Sequence, residues 1–156
     1  MEFKPRLTRP EQGNKYYITK GAGGYSRAIV GKPTDKYCNV LSNCVGYADG
    51  RFHEIAKRVE MDYFDPVNAE NIYENAQAHG IKVGSQPKLG AAIVWEGIGS
   101  AAGHIAIVEV INSDGSIVTS ESGWNCSNPF WTTTRKKGAD GNWGAGSGYK
   151  FKGFIY

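Results

Sequence analysis

LSNCVGYADGRFHEI, residues 41–55, places one of three cysteines directly before a run with helical spacing. Val45, Ala48, Phe52, Ile55 and then Val59 recur every three or four residues, which sets them on one helix face. Ser42 or Asn43 can cap the N-terminus of that helix. Gly46 and Gly50 lower helix propensity but let another part of the chain approach the first turns closely. Cys44 therefore meets unpaired backbone N–H groups and the positive end of the helix dipole. Those groups favour an anion, so the thiol is placed to react as a thiolate. The same N–H groups can hold an oxyanion formed on a substrate carbonyl. The competing reading is a small buried hydrophobe, since free cysteine is often buried.

Working outward, residues 1–36 are broken by Pro5, Pro10, Gly21, Gly23, Gly24, Gly31 and Pro33, and read as irregular apart from a short strand at Tyr16–Thr19. A second helix is expected over Ala69–His79, closed by Gly80. Beyond it the pattern turns to strands: Ala91–Trp95, His104–Ile111 and, after the turn signal Asn112–Gly115, Ile117–Ser122. Asn128–Gly148 reads as a long surface loop with a short strand at Trp131–Arg135, and Lys150–Tyr156 as a closing strand. Helices first and an antiparallel sheet second is an α+β order.

The chain has 156 residues, enough for one domain with a real core, and a formal charge of +3. Arg135-Lys136-Lys137 is the densest basic cluster, too sparse to indicate a nucleic-acid partner. An odd count of cysteines, Cys38, Cys44 and Cys126, argues against a disulfide-stapled scaffold. The same three lack the close spacing of a zinc site, so no metal is expected and Cys38 and Cys126 read as inert thiols. The N-terminus has no apolar signal-peptide core, and no apolar run reaches the length of a membrane span.

A thiolate nucleophile needs a base, and the chain offers His53, His79 and His104. His53 lies on the same helix as Cys44, more than two turns away, and cannot reach back. His79 sits at a helix C-terminus, where a cation complements the dipole. His104 follows Gly103 and opens the best strand of the chain. Its partner is argued from hairpin geometry. A two-residue turn at Asp114-Gly115 sets Glu121 opposite Val108; a four-residue turn from Asn112 to Gly115 sets it opposite Ala106. Either way Glu121 shares the sheet face of His104, unless a three-residue loop or a bulge intervenes. A carboxylate there can hold the imidazole tautomer and stabilise its protonated form. Helix-borne thiol, strand-borne imidazole and strand-borne acid make a papain-like layout.

Several stretches carry a family resemblance. NCVGYADGRFHEI at 43–55 resembles the nucleophile helix of the CHAP family, the cysteine, histidine-dependent amidohydrolase/peptidases. KLGAAIVWEG and GHIAIVEVI resemble its paired strands, SESGWN at 120–125 the strand bearing its acidic residue, and FKGFIY its last strand. The resemblance covers residues 35–156, leaving 1–34 as an irregular N-terminal segment packed on the domain. It implies a papain-like α+β CHAP fold, with N-terminal helices on a central antiparallel sheet. It also implies a Cys44 nucleophile, a His104 general base and Glu121 as the orienting acid. Asn43 is a candidate oxyanion donor alongside Asn39. Trp124 is a candidate wall of the groove, and Asn125 a polar contact that makes up for Gly123, where the family often has a polar residue. Trp131, Trp143 and Tyr149 are candidates for an aromatic platform. The acidic calcium loop found in some members is missing from KPTDKYCNVLSNC, where Asp35 is the only acid, so no cofactor is expected.

The function so implied is hydrolysis of peptidoglycan in Gram-positive bacteria, as endopeptidase or N-acetylmuramoyl-L-alanine amidase, by a phage-endolysin type of catalytic domain. Such a protein is expected as a monomer, made in the host cytoplasm without a signal peptide, not inserted in membranes, and acting on the wall after release. Lysins of this kind commonly carry a separate wall-binding domain; the sequence shows none, which leaves a longer parent chain or a targeting partner. The rival readings are an NlpC/P60-type wall peptidase and a non-catalytic wall-binding module.

Overall fold

The computed structural model describes residues 2–11, 14–17, 44–57, 67–99, 102–123, 128 and 130–156. The proposed caps Ser42 and Asn43, the apolar Val59, and the residues Cys38, Asn39, Trp124, Asn125 and Cys126 lie outside them. Among the described residues there are two helices, α1 (Cys44–Ala56) and α2 (Ala69–Ala78). Six strands follow: β1 (Val83–Gly84), β2 (Ala92–Gly97), β3 (His104–Ile111), β4 (Ile117–Glu121), β5 (Trp131–Arg135) and β6 (Tyr149–Ile155). They form one antiparallel sheet in the order β1-β6-β2-β3-β4-β5. The expected α+β architecture is thus present, and only the two-residue edge strand β1 had no sequence signal. No described helix is long and apolar enough to cross a membrane.

α1 is buried on more than its apolar face. Val45, Ala48 and Phe52 are buried as expected, and so are Tyr47, Asp49, Arg51 and His53. Ile55, expected on the same face, is 37% exposed and lines a hollow beside residues 2–8. The close approach anticipated at the glycines is real at Gly50: a Cβ there would lie 2.6 Å from a ring carbon of Tyr17. α2 ends as expected, with Gly80 at a positive φ of 76°. The N-terminal segment is tied to α1 through Arg6, whose Nε donates to Glu54 at 2.7 Å, and through the Tyr17 hydroxyl, 2.9 Å from the same carboxylate.

The sheet is covered on both faces. Val45, Ala48, Phe52, Ile72 and Ala76 of the helices pack on Ala92, Val94, Ile105, Ile107 and Ile155. The opposite face buries Ile93, Trp95, Ala106, Val108, Ile117 and Phe154 under Trp143. Residues 138–148 are therefore not the plain surface loop that their Gly-rich composition suggests. Asn142 staples them down: its side chain donates to Tyr149 O and accepts from Phe151 N, and its carbonyl accepts from the Trp95 indole at 2.9 Å.

The β3–β4 hairpin decides which way Glu121 faces. Its turn is odd in length, unlike the two- and four-residue forms weighed from the sequence: Asn112 N–H donates to Ser116 O around residues 113–115, and Ile111 pairs with Ile117. Carried along the strand, that register would set Glu121 opposite Ile107, on the helix side. A bulge at Glu109 inserts an extra residue into β3, after which Val108 pairs with Thr119 and Ile107 with Ser120. Glu121 is returned to the face of His104, opposite Ala106. The expected placement is reached because an odd-length turn and a bulge cancel.

Candidate active site

Three elements converge at one end of the sheet. Cys44 is the first residue of α1, His104 the first of β3, and Glu121 the last of β4. Glycine before the histidine has a steric cause. A Cβ at Gly103 would lie 2.6 Å from both Glu70 N and Trp95 O, and Gly103 N–H donates to Glu70 Oε2 at 3.1 Å. β3 thus starts pressed against the N-terminus of α2 and the backbone of β2, which fixes where the imidazole stands.

The imidazole joins the other two residues. His104 Nε2 lies 2.7 Å from Glu121 Oε1, and the ring is hydrogen-bonded to Cys44 on its other side. With Nε2 engaged by the carboxylate, Nδ1 is the nitrogen left for the thiol. Burial alone would push the imidazole down in pKa. The hydrogen bonds to Cys44 and Glu121, with their negative charges, outweigh it and raise His104 from 6.5 to about 9. At neutral pH the ring is an imidazolium facing the ionised Glu121 carboxylate. Its faces are occupied by indoles: Trp95 and Trp131 stack on it with centroids 5.7 and 6.0 Å away. Aromatic faces attract a cation, so both favour the charged ring.

Glu121 is fully buried. Burial would raise its pKa, but hydrogen bonds and charge from His104 and Arg135 hold it at about 2. Arg135 grips it with two hydrogen bonds of 2.9 Å, Nε to Oε2 and Nη2 to Oε1, and the Thr119 hydroxyl donates to Oε2. The sequence reading missed Arg135 by counting it with Lys136 and Lys137 as surface charge. Lys136 and Lys137 fit that description, Lys136 at 76% exposed, whereas Arg135 is 11% exposed. The available signal was period two: Trp131, Thr133 and Arg135 alternate along β5 and share the face of Thr119 and Glu121.

The site opens into a groove of about 550 Å³ lined by Cys44, Glu70, His104, Glu121, Trp131 and Tyr149, among others. Trp131 and Tyr149 therefore stand where the aromatic platform was expected. Trp143 does not: it is 4% exposed and packs edge-on against Phe154 in the core. Asn43, Trp124 and Asn125, proposed from the sequence as substrate contacts, lie outside the described residues. A larger hollow of about 680 Å³ lies between residues 2–8 and the far end of α1, but no cysteine or histidine lines it.

A thiol, an imidazolium and a buried carboxylate in series are what acyl transfer through a thioester requires. The family model for the CHAP domain matches residues 33–125, a span that contains all three residues. The chain belongs to the CHAP family. Among CHAP relatives, a Staphylococcus aureus N-acetylmuramoyl-L-alanine amidase domain-containing protein is 39% identical over 83 residues, covering 51% of this chain and 13% of that protein. N-acetylmuramoyl-L-alanine amidase sle1 of Staphylococcus epidermidis is 30% identical over 105 residues, covering 66% of this chain and 29% of that protein. A crystal structure of N-acetylmuramoyl-L-alanine amidase from Staphylococcus aureus shares the fold with a TM-score of 0.51 at 32% identity, over 60% of this chain and 27% of that one. The CHAP chain thus spans less than a third of the length of these relatives.

Proposed function

We propose that this CHAP chain is a peptidoglycan hydrolase that cleaves an amide bond through a Cys44 thioester, with His104 as acid–base and Glu121 as the orienting residue. The observation that carries the reading is the unbroken contact from Cys44 through His104 to Glu121 at the base of a groove. In the scheme, the Cys44 thiolate attacks the carbonyl carbon, and the oxyanion is held by backbone N–H groups at the start of α1. The His104 imidazolium gives its proton to the departing amine as the C–N bond breaks. The neutral imidazole then takes a proton from water, whose oxygen displaces the thiolate from the thioester. No cofactor enters the scheme.

The names of the relatives support the amidase form over the endopeptidase form, with the bond between muramic acid and L-alanine as the target. The phage-endolysin setting, a Gram-positive wall as target and action after release from the host cytoplasm rest on the family resemblance. The test is loss of turbidity of purified Gram-positive walls with wild type and Cys44→Ala, followed by mass spectrometry of the released fragments. Clearing that disappears with Cys44→Ala supports the thiol mechanism, and the fragment masses assign the bond. Equal clearing by both proteins would overturn it.

A further inference from the structure

Glu121 has two cationic partners and, on this reading of the site, only one of them takes part in proton transfer. The other, Arg135, comes from a strand beyond the family-matched segment. Its guanidinium contacts both carboxylate oxygens, lies 4.7 Å over the Trp95 ring and donates to Trp143 O at 3.3 Å. Trp95 in turn stacks on His104. His104, Glu121, Arg135 and Trp95 thus close a ring of four contacts beneath the imidazole. We infer that Arg135 is a positioning residue of the thiol site: its fork fixes the plane of the Glu121 carboxylate and keeps it ionised, so that Glu121 holds the imidazole without taking its proton.

The physical reason is the alternative left to a buried carboxylate. Without Arg135, Glu121 would keep only His104 and the neutral Thr119 hydroxyl, and could share the proton on Nε2, which would quench the imidazolium. A bidentate guanidinium removes that freedom, and Arg suits this because its fork matches the carboxylate and stays charged. Among the described residues, the groups facing Glu121 are His104 from β3, Thr119 from β4 and Arg135 from β5. Cys44 of α1 lies beyond His104, and Glu70 of α2 and Tyr149 of β6 line the same groove.

The inference rests on the thiol mechanism proposed above, and its test includes a readout that needs no wall substrate. Alkylation of Cys44 by iodoacetamide, followed peptide by peptide across pH, reports how far the His104 imidazole assists the thiol. In Arg135→Gln the acid limb of that profile is expected to move to higher pH, because Glu121 without its fork protonates sooner. On walls, kcat is expected to fall tenfold or more with KM within twofold. Arg135→Lys keeps the charge but loses the fork, so an intermediate shift is expected; this variant serves if Arg135→Gln does not fold. A folded variant with the wild-type alkylation profile overturns the inference, as does a loss confined to KM, which would make Arg135 a substrate contact. Wild type that alkylates as expected but clears no wall would count against the proposed function and not against the role of Arg135.

Discussion

Arg51 and Glu109 join the helix that carries Cys44 to the bulge that orients Glu121. Two hydrogen bonds of 2.8 Å, Nε to Oε1 and Nη2 to Oε2, connect side chains that are 4% and 0% exposed. Glu109 also accepts from Ser120 Oγ at 2.7 Å, and Ser120 accepts from the Tyr47 hydroxyl. Removing one partner of such a pair strands a buried charge, which costs roughly 3–5 kcal/mol. Glu109→Ala is expected to lower the denaturant midpoint accordingly. Glu109→Gln, which keeps the shape and one acceptor, should cost less. A change within half a kcal/mol for Glu109→Ala would show that the pair does not hold helix and sheet together.

The two titrating residues set opposite pH limits on stability. His104 titrates at about 9 in the folded chain against an ordinary 6.5, so its contribution is complete below pH 6.5 and is lost as pH rises through about 9. Glu121 is held at about 2 against 4.5, so its contribution is present above pH 4.5 and is lost as pH falls through about 2. Hydrolysis is expected to decline along an alkaline limb near pH 9. Glu121→Gln removes the carboxylate charge beside the ring and should bring that limb down. NMR titration of His104 in both proteins checks the assignment; an unmoved limb would detach it from His104.

Gly103 is a position where one methyl group has nowhere to go. Its Cβ would meet backbone atoms of Glu70 and Trp95, neither of which can swing aside. Gly103→Ala is expected to cost about 1–3 kcal/mol, as overpacking usually does. It should also cut activity further than that loss of folded protein explains, because β3 must shift with its first residue. Melting temperature and wall clearing measured on the same preparation separate the two effects.

Trp131 is half-buried and forms one wall of the imidazolium. A cation over an aromatic face gains about 0.5–2 kcal/mol, so Trp131→Leu should lower the His104 midpoint by about 0.4–1.5 pH units. Stability should change little. The same NMR titration checks it, and a midpoint unchanged in Trp131→Leu would mean that the stack contributes only shape.

Much of this site was legible because local rules placed it. The spacing of Val45, Ala48 and Phe52 marked α1, and Cys44 at its head was marked by position alone. Strand alternation brought Glu121 to the side of His104. The reasoning behind that placement was incomplete, because neither the odd-length turn nor the bulge at Glu109 has a local signature. The bulged Glu109 is held by Arg51, from a helix packed on β3, and only tertiary structure reveals such a contact. Arg135 and Trp143 were misread for the same reason. Both sit in polar, Gly-rich surroundings that look solvated until the sheet curls and the loop folds back over it. Composition describes a residue's neighbours in the chain, whereas burial depends on its neighbours in space.

β6 comes last in the chain yet lies between β1 and β2 in the sheet. This order has a consequence in time. A ribosome that has delivered everything through Gly148 has already made the thiol, the imidazole and the carboxylate. On that growing chain, however, β2 has a partner on one side only, and neither Phe154 nor Ile155 is present to fill the two cores. The strand that completes the sheet emerges only after every reactive group has been made. The sheet behind the site therefore cannot close until residues 149–155 have been made and inserted between β1 and β2.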